Sequence, residues 1–434
     1  MHRRLTTIWI VCVASWSIAC HISTCAAQGT PPITPSGLNT QVHLSTAPPV
    51  GTVQYNITGG TRAGTNLFHS FGEFSVPNSN IANFLNDTRL TTSNILGRVT
   101  GGNVSNIFGT IQTTAFGDAN LFLINPSGII FGPNASLSVG GSVTFTTADY
   151  LRLDKVGGPN AGLFHADPAQ VSLLTSASVD AFGFLGTNPA AITVQGSQLA
   201  VTKGHDISLV GGSITIQNGT LSNGTVQPAH LLAPNGQINL ATAMSPGEFL
   251  NNLPVEPDGS IVRNININGD SFKSFGSVHL ASGSTVDVSQ TGKGKVSIRS
   301  GQLILEVKDA ILDTANSATL TSVAPGQDSI LLTPQSSVIS ETFSADHGPD
   351  IRMEADKISI IGVPGASNKE NFTVKPFTGI SSDTQGTGNA GNIILRATGN
   401  VQITKVVSLF STTEASGHAG NIELTSTHAN ILMT

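Results

Sequence analysis

Polar and apolar residues alternate along much of the chain beyond residue 200. Residues 213–217 (SITIQ), 264–268 (NININ), 285–289 (TVDVS) and 295–299 (KVSIR) show the pattern. Alternation with a period of two predicts short, half-buried β-strands, which are bounded here by Gly, Asn, Ser or Pro. No comparable stretch carries an apolar stripe with the helical period, so the sequence predicts an all-β fold.

A near-repeat selects among the all-β folds. GNAGNIIL at residues 388–395 returns as GHAGNIEL at residues 417–424, an offset of 29 residues. Periods of about 20–50 residues are typical of solenoids. The pattern therefore favours a right-handed parallel β-helix (solenoid) of the pectin-lyase-like kind over a sandwich or a barrel. At roughly 20–30 residues per coil, about 14–20 coils are expected. Asn-Gly pairs starting at Asn218, Asn223 and Asn235 leave local hairpins open.

The first 27 residues have the order of a secretory signal peptide. Arg3 and Arg4 form a basic start, residues 5–19 are mostly apolar, and Ala26 and Ala27 are small residues suited to cleavage. The apolar part is too short for a stable membrane span. Lipidation of Cys20 is the alternative, although this segment lacks the leucine usual in a lipoprotein signal.

Removing the leader changes the composition. Cys12, Cys20 and Cys25 all lie within it, so the mature chain has no cysteine and no disulfide. Without Arg3 and Arg4 the chain has 18 basic and 26 acidic residues, a net charge of −8. This mildly acidic balance argues against nucleic acid as a partner. No later segment has the apolar length of a membrane span, so stable membrane insertion is not expected.

Phenylalanine is distributed unevenly. Twelve of the nineteen phenylalanines lie between Phe68 and Phe184, and Asp118 is the only charged residue between Arg98 and Asp149. The N-terminal third is therefore more densely apolar than the rest. We expect a separate unit over residues 28–152, after the signal peptide of residues 1–27, and β-helical repeats over residues 153–434.

Residues 121–141 (LFLINPSGIIFGPNASLSVGG) contain two short apolar runs and no charge. The sequence Asn-Pro-Ser-Gly at residues 125–128 fits a type I turn, with Asn at the first position, Pro at the second and Gly at the fourth. Gly-Pro-Asn at residues 132–134 breaks the chain a second time. Three short strands with sharp corners predict one coil of the β-helix.

Three segments carry a resemblance to a known family. Residues 64–77 (GTNLFHSFGEFSVP), 98–111 (RVTGGNVSNIFGTI) and 119–151 (ANLFLINPSGIIFGPNASLSVGGSVTFTTADYL) resemble the N-terminal secretion domain of the filamentous haemagglutinin family. These are large exoproteins of two-partner secretion in Gram-negative bacteria. The likeness is close over about residues 30–152 and looser beyond, where residues 207–221 (ISLVGGSITIQNGTL) resemble the family's first repeats.

The resemblance implies site residues. The family's Asn-Pro-Asn-Gly-Ile motif falls on Asn125, Pro126, Ser127, Gly128 and Ile129, with Ser127 in place of the second asparagine. A second family motif, Asn-Pro-Asn-Leu, is absent, and its nearest counterpart is Asn66 and Leu67. These two segments are the expected secretion motif and a secondary secretion segment.

The resemblance also implies a route and a partner. Such a chain crosses the inner membrane on its signal peptide and stays unfolded in the periplasm. A dedicated outer-membrane β-barrel transporter with periplasmic recognition domains then takes it up, and the β-helix folds outside. We therefore expect a secreted or surface-held, adhesin-like exoprotein whose host, surface or matrix ligand is unknown.

A secreted polysaccharide lyase or hydrolase is the alternative, because right-handed β-helices include such enzymes. Its best carboxylate cluster is Asp346, Asp350, Glu354 and Asp356. We interpret this cluster instead as a solvated strand face or loop, because beyond the leader the aromatic platforms of a sugar cleft are missing. The nine histidines beyond the leader are scattered, and no metal site, phosphate loop or nucleophile elbow is recognised. We therefore expect no enzyme activity, cofactor or metal.

The final residues NIELTSTHANILMT keep the strand pattern to the last position. An open solenoid edge invites pairing with another strand. This pattern is the basis for expecting a truncated or split gene product.

Overall fold

The computed structural model describes residues 31–154, 161–252, 264–266, 272–281, 284–288, 295–306, 311–314, 318–322, 329–332, 337–342, 351–355, 357–361, 379–384, 386–405 and 407–434. The expected signal peptide lies outside the described residues. All the strands of these ranges belong to one unit, Pro32–Thr434.

The described residues form short strands, together with one turn of 3-10 helix at Thr114–Phe116. The first strands are β1 (Ile33–Gly37), β2 (Thr40–Leu44), β3 (Val53–Gly59), β4 (Thr61–Ala63), β5 (Asn66–Phe74), β6 (Asn80–Phe84), β7 (Asn94–Val99), β8 (Ser105–Ile107), β9 (Thr110–Gln112), β10 (Asn120–Ile124), β11 (Ile129–Phe131), β12 (Ser136–Ser138), β13 (Val143–Thr146) and β14 (Tyr150–Leu153). The next are β15 (Gly162–His165), β16 (Val179–Phe184), β17 (Ile192–Gln195), β18 (Gln198–Ala200), β19 (Ile207–Gly211), β20 (Ile214–Gln217), β21 (Gly219–Thr220), β22 (Val226–Gln227), β23 (His230–Leu232), β24 (Gln237–Thr242), β25 (Gly247–Asn252), β26 (Asn264–Asn266), β27 (Ser277–Ala281) and β28 (Thr285–Asp287). The last are β29 (Lys295–Ser300), β30 (Gln302–Glu306), β31 (Ile311–Thr314), β32 (Ala318–Ser322), β33 (Ser329–Leu332), β34 (Ser337–Thr342), β35 (Ile351–Ala355), β36 (Lys357–Ile361), β37 (Gly379–Thr384), β38 (Ile393–Ala397), β39 (Val401–Thr404), β40 (Ser408–Thr413), β41 (Ile422–Ser426) and β42 (Ile431–Met433).

Successive coils stack their strands in parallel on three faces, except that β2, at the start of the third face, is antiparallel to β3. The first face carries β5, β7, β10, β13, β19, β24, β29, β32, β35, β38 and β41, with β1 and β4 antiparallel to β5. The second face carries β8, β11, β17, β20, β27, β30, β33, β36, β39 and β42. The third carries β2, β3, β6, β9 and β12 in one sheet, and β18, β23, β28, β31, β34, β37 and β40 in another. The prediction of an all-β, parallel β-helix is confirmed.

The predicted number of coils is too high. In the described residues the first face has eleven parallel strands from β5 to β41, fewer than the 14–20 expected. The difference arises because two long excursions leave the coil, one between β13 and β17 and the other between β24 and β27. The hairpin that the sequence leaves possible at Asn223-Gly224 is present and connects β21 to β22. Asn235-Gly236 instead forms the corner between β23 and β24.

The core is built from columns of inward side chains. Leu67 on β5, Ile95 on β7, Leu121 on β10 and Val143 on β13 stand in register and are almost fully buried. Each removes apolar surface from water, worth about 25 cal/mol per Å². Each inward side chain packs between those of the coils before and after it. The column therefore continues for as long as polar and apolar residues alternate along the strands.

The two excursions form a fifth sheet outside the coils. Strands β14, β15, β16, β25 and β26 pair antiparallel. They cover outward side chains of the first face and enclose a second core with them. Its largest buried members are Phe68, Leu96, Phe122, Ile124, Leu151, Leu153, Phe164, Phe182, Phe184, Phe249 and Phe272. The phenylalanine-rich third is therefore divided between two cores. The expected unit boundary after residue 152 falls within β14 and stays a prediction.

Candidate functional site

The expected secretion motif forms a tight corner between the first and second faces. It lies between β10 and β11, and Gly128 N donates to Asn125 O at 3.0 Å, which closes a four-residue turn. Gly128 has φ of +112°, a conformation that L side chains rarely adopt. The turn is the one that the sequence predicts in position and end residues.

The Asn125 side chain is buried and fully used within the fold. It is 1% exposed. Its Oδ1 accepts from Ser127 N at 2.9 Å, and its Nδ2 donates to Asn103 O and to Ser105 Oγ, both at 2.9 Å. Asn103 and Ser105 belong to the preceding coil. The amide therefore caps its own turn and joins two coils. Ala at this position would lose all three bonds, and Asp would lack the N–H donor to Asn103 O.

Gly128 has a coil backbone on either side of it. Its carbonyl accepts from Ser105 N of the preceding coil at 3.0 Å, and an added Cβ would stand 3.2 Å from Ala191 O of the next. Ile129 N donates to Ala191 O at 3.3 Å, and the Ile129 side chain is fully buried in the main core. Pro126 and Ser127 remain half-buried at the surface.

The secondary secretion segment lies where the strands of the first face begin, whereas the Asn125–Ile129 corner follows the point where they end. Asn66 begins β5 and is fully buried, and Leu67 is an inward residue of the main core. Asn66 is in register with Asn120 through Asn94 of β7. Asn120 and Asn125 are separated by the length of β10, about 16 Å of strand. The structure therefore does not bring the two predicted segments together.

The side chain of Asn66 belongs to an asparagine ladder, which was not predicted from the sequence. Asn94 Nδ2 donates to Asn66 Oδ1 at 2.8 Å, and Asn120 Nδ2 donates to Asn94 Oδ1 at 3.0 Å. Ser142 N closes the series on Asn120 Oδ1 at 3.0 Å. Spacings of 28 and 26 residues between like residues are the signal in the sequence that could have indicated it.

Asn66 also holds the excursion that covers the first face. Its Nδ2 donates to Thr175 O at 2.9 Å and to Ala177 O at 2.7 Å. Arg98, on the neighbouring β7, acts in the same way and donates to His165 O at 2.7 Å. The N-terminal coils and the fifth sheet are thus joined by buried polar contacts as well as by the second core.

Burial perturbs two ionisable groups near these contacts. It lowers the pKa of the His69 imidazole to about 4; Asp87 opposes this shift and Arg62 adds to it. Burial also lowers the pKa of the Arg98 guanidinium, which Asp167 partly offsets. His69 is held by Thr40 Oγ1 at 3.2 Å and stacks on Phe71. Because both side chains are engaged by contacts inside the fold, we assign them a role in stability.

A third perturbed group belongs to a charge network on the fifth sheet. Tyr150 OH donates to Glu248 Oε1 at 2.8 Å, and Arg152 pairs with Asp180 at 2.8 Å and with Glu248 at 3.3 Å. Burial and the Glu248 contact raise the pKa of the Tyr150 phenol. The network ties β14 and β16 to β25, which comes from the second excursion.

Most of the carboxylates proposed for a lyase or hydrolase lie outside the residues that the structure describes. Asp346, Asp350 and Asp356 are outside the described residues, and Glu354 is placed only as a member of β35. Within the described ranges, no group of three or more His, Cys, Asp or Glu side chains is arranged to hold a metal ion. No helix of the described part is long and apolar enough to cross a membrane.

The described residues form a parallel coil stack with a covering sheet, and the Asn-Pro-x-Gly corner lies in the N-terminal coils, which places the chain in the β-helix class. The family model of the TPS secretion domain matches residues 39–298. The chain therefore belongs to the TPS secretion domain family, that of two-partner secretion exoproteins of the filamentous haemagglutinin type.

Other comparisons are more distant. The crystal structure of the HMW1 secretion domain from Haemophilus influenzae is similar at 12% sequence identity and a TM-score of 0.42. That likeness covers 93% of this chain and 100% of the other. No curated protein matches the sequence.

Proposed function

We propose that this chain is an adhesin-like exoprotein that its own outer-membrane transporter recognises through the N-terminal coils. Membership of the TPS secretion domain family carries the proposal, because such a domain implies secretion across the outer membrane with a cognate transporter. The transporter is a β-barrel with periplasmic recognition domains, and the mature chain is released or held at the cell surface.

We infer further that the transporter recognises the Asn125–Ile129 segment before this segment folds into its corner. Three of its five residues, Asn125, Gly128 and Ile129, are buried in the folded coil. A partner that recognises these side chains must meet them in an extended chain. After secretion, the same residues fold into the corner. One segment therefore serves first as the recognition motif for the transporter and then as a contact between neighbouring coils.

The composition suits this route. Beyond the leader there is no cysteine, so no periplasmic disulfide locks the chain before export. Within the stack, the strands of each coil pair with those of the neighbouring coils, so the stack folds coil by coil as the chain emerges, and the excursions then cover the first face. The lyase or hydrolase alternative has no observation of its own in the described residues, and the matched region is a secretion domain rather than a catalytic one.

The first experiment is co-expression of the full-length chain with the transporter encoded nearest to its gene. The chain should appear in the medium only when that transporter is present. Equal amounts in the medium after deletion of the transporter would contradict the proposal.

The second experiment tests the corner. The double variant Asn125→Ala, Pro126→Ala should accumulate in the periplasm, with cleavage of the leader unchanged. The double variant Pro133→Ala, Asn134→Ala changes the next corner of the same coil and should be secreted normally. Equal secretion of both variants would leave the first corner a structural element only.

A further inference from the structure

A polar row crosses the outer side of the third face in the first coils. Its members stand in register on five neighbouring strands, β2, β3, β6, β9 and β12; they are His43, Asn56, Asn83, Gln112 and Ser138. We call this row the amide face. The residues that precede four of its members by one position, Tyr55, Ala82, Ile111 and Leu137, pack in or against the main core. The amide face therefore points away from the core.

The amide face is free of charge. The five strands that form it contain no Asp, Glu, Lys or Arg. Solvated sheet faces usually carry charged side chains, and these keep them soluble and unpaired. Amide and hydroxyl side chains offer both donors and acceptors instead. A charge-free polar face favours a neutral ligand with many hydroxyl groups.

The hydrogen bonds along the row are incomplete at Asn83. Gln54 Nε2 and Asn83 Nδ2 both donate to Asn56 Oδ1, at 2.7 Å and 3.0 Å. Asn83 is 5% exposed, and among the described residues its Oδ1 has no hydrogen-bond partner. A buried acceptor without a partner costs about 1–3 kcal/mol. Its orientation is fixed by the bond to Asn56, so the free oxygen is directed away from that residue.

The asparagine ladder on the first face shows the complete arrangement. There, Asn94 and Asn120 each donate to the preceding amide oxygen, and Ser142 N closes the end. On the amide face the corresponding donor would be Gln112, which is in register with Asn83. Gln112 Nε2 instead donates to Thr114 Oγ1 at 3.2 Å in an exposed contact. The row is interrupted between these two residues.

We propose that the amide face binds a neutral saccharide, one of whose hydroxyl groups donates to Asn83 Oδ1 after Gln112 turns aside. Vicinal hydroxyls both donate and accept, as the amides of the row do. A peptide strand fits less well, because the main chains of β3, β6 and β9 already pair on both sides. The inference deepens the adhesive part of the proposed function and rests on it.

The test uses the secreted full-length protein and isothermal titration calorimetry. The probes are cellohexaose, maltohexaose and mannohexaose, with a heparin hexasaccharide as the charged counterpart. At least one neutral probe should bind, and its affinity should be equal at about 50 and 500 mM NaCl because no charge takes part. The heparin fragment should not bind.

The variants locate the site. Asn83→Ala and Asn56→Ala should weaken binding by roughly tenfold or more, whereas Gln112→Ala should retain it. Gln402→Ala, on the second face, is the matched control and should bind like the wild type. Circular dichroism and secreted yield establish that each variant folds.

Three results would overturn the inference. The first is the absence of binding by all neutral probes in a protein that is secreted normally, which leaves the secretion proposal intact. The second is binding that Asn83→Ala and Asn56→Ala do not change. The third is self-association at rising protein concentration that Asn83→Ala abolishes without any saccharide binding, which would assign the face to a second copy. Failure of secretion itself is measured separately in the transporter experiment.

Discussion

The Nδ2 atom of Asn94 lies 2.8 Å from Oδ1 of Asn66, one coil away on the first face. Asn66 is fully buried and its own Nδ2 is used by Thr175 O and Ala177 O. One amide therefore receives a bond from the neighbouring coil while it holds the excursion that covers the same face. This contact links the order of the first coils to residues about a hundred positions further along the chain.

Asn94→Ala should lower the free energy of unfolding by about 1–3 kcal/mol, because it leaves amide groups of Asn66 and Asn120 without partners. Urea unfolding followed by circular dichroism measures the change. Asn106→Ala, on the exposed side of β8, is the control and should change it by less than about 0.5 kcal/mol. Equal effects of the two substitutions would show that the ladder adds no stability.

Arg152→Met should destabilise the protein by about 3 kcal/mol or more, because it removes the cation that pairs with Asp180 and Glu248, two partly buried carboxylates. Arg396→Met removes an exposed pair with Glu423 at 3.1 Å and should cost at most about 1 kcal/mol. Thermal unfolding of both variants provides the comparison. A cost for Arg152→Met as small as that for Arg396→Met would contradict the role given to the network.

Stability should fall as the pH drops from about 6.5 to about 4, through His69. Its pKa in the fold is about 4, against an ordinary value of 6.5, so the unfolded chain binds the extra proton in this window. The stabilisation is complete above pH 6.5, and about 3 kcal/mol is lost by pH 4, below which this residue adds no further change.

The measurement is the unfolding free energy at several pH values between about 7.5 and 4, compared with the variant His69→Gln. The variant should lack this part of the slope. His43→Gln, at an exposed position on β2, should keep it. A wild type and a His69→Gln variant with parallel pH curves would be inconsistent with a neutral, buried His69.

Gly128→Ala should destabilise by about 1–3 kcal/mol, since alanine is strained at φ of +112° and its Cβ would approach Ala191 O to 3.2 Å. Gly186→Ala is the matched control, because an added Cβ there meets nothing within 4 Å and φ is not in the strained region. Chemical denaturation of purified protein decides between them. No difference between the two alanines would mean that the corner relaxes.

Part of the fold could be predicted because its signals are local. The alternation at residues 213–217 becomes β20, and the alternation at 285–289 becomes β28. The turn at residues 125–128 also needs only Asn, Pro and Gly in fixed order. The roles of Asn94 and Asn120 were not predicted, because a ladder depends on which residues from different coils stand in register.

The sequence by itself determined the β-helix, since a period of two and glycine-rich corners act within a few residues and repeat from coil to coil. It also determined the position of the Asn125–Gly128 turn. Only the tertiary structure decided that Phe68 and Phe122 face outward into a second core, that the excursions form one sheet over them, and that Asn125 is buried. These outcomes depend on contacts between segments far apart in the chain, which an alternating pattern does not specify.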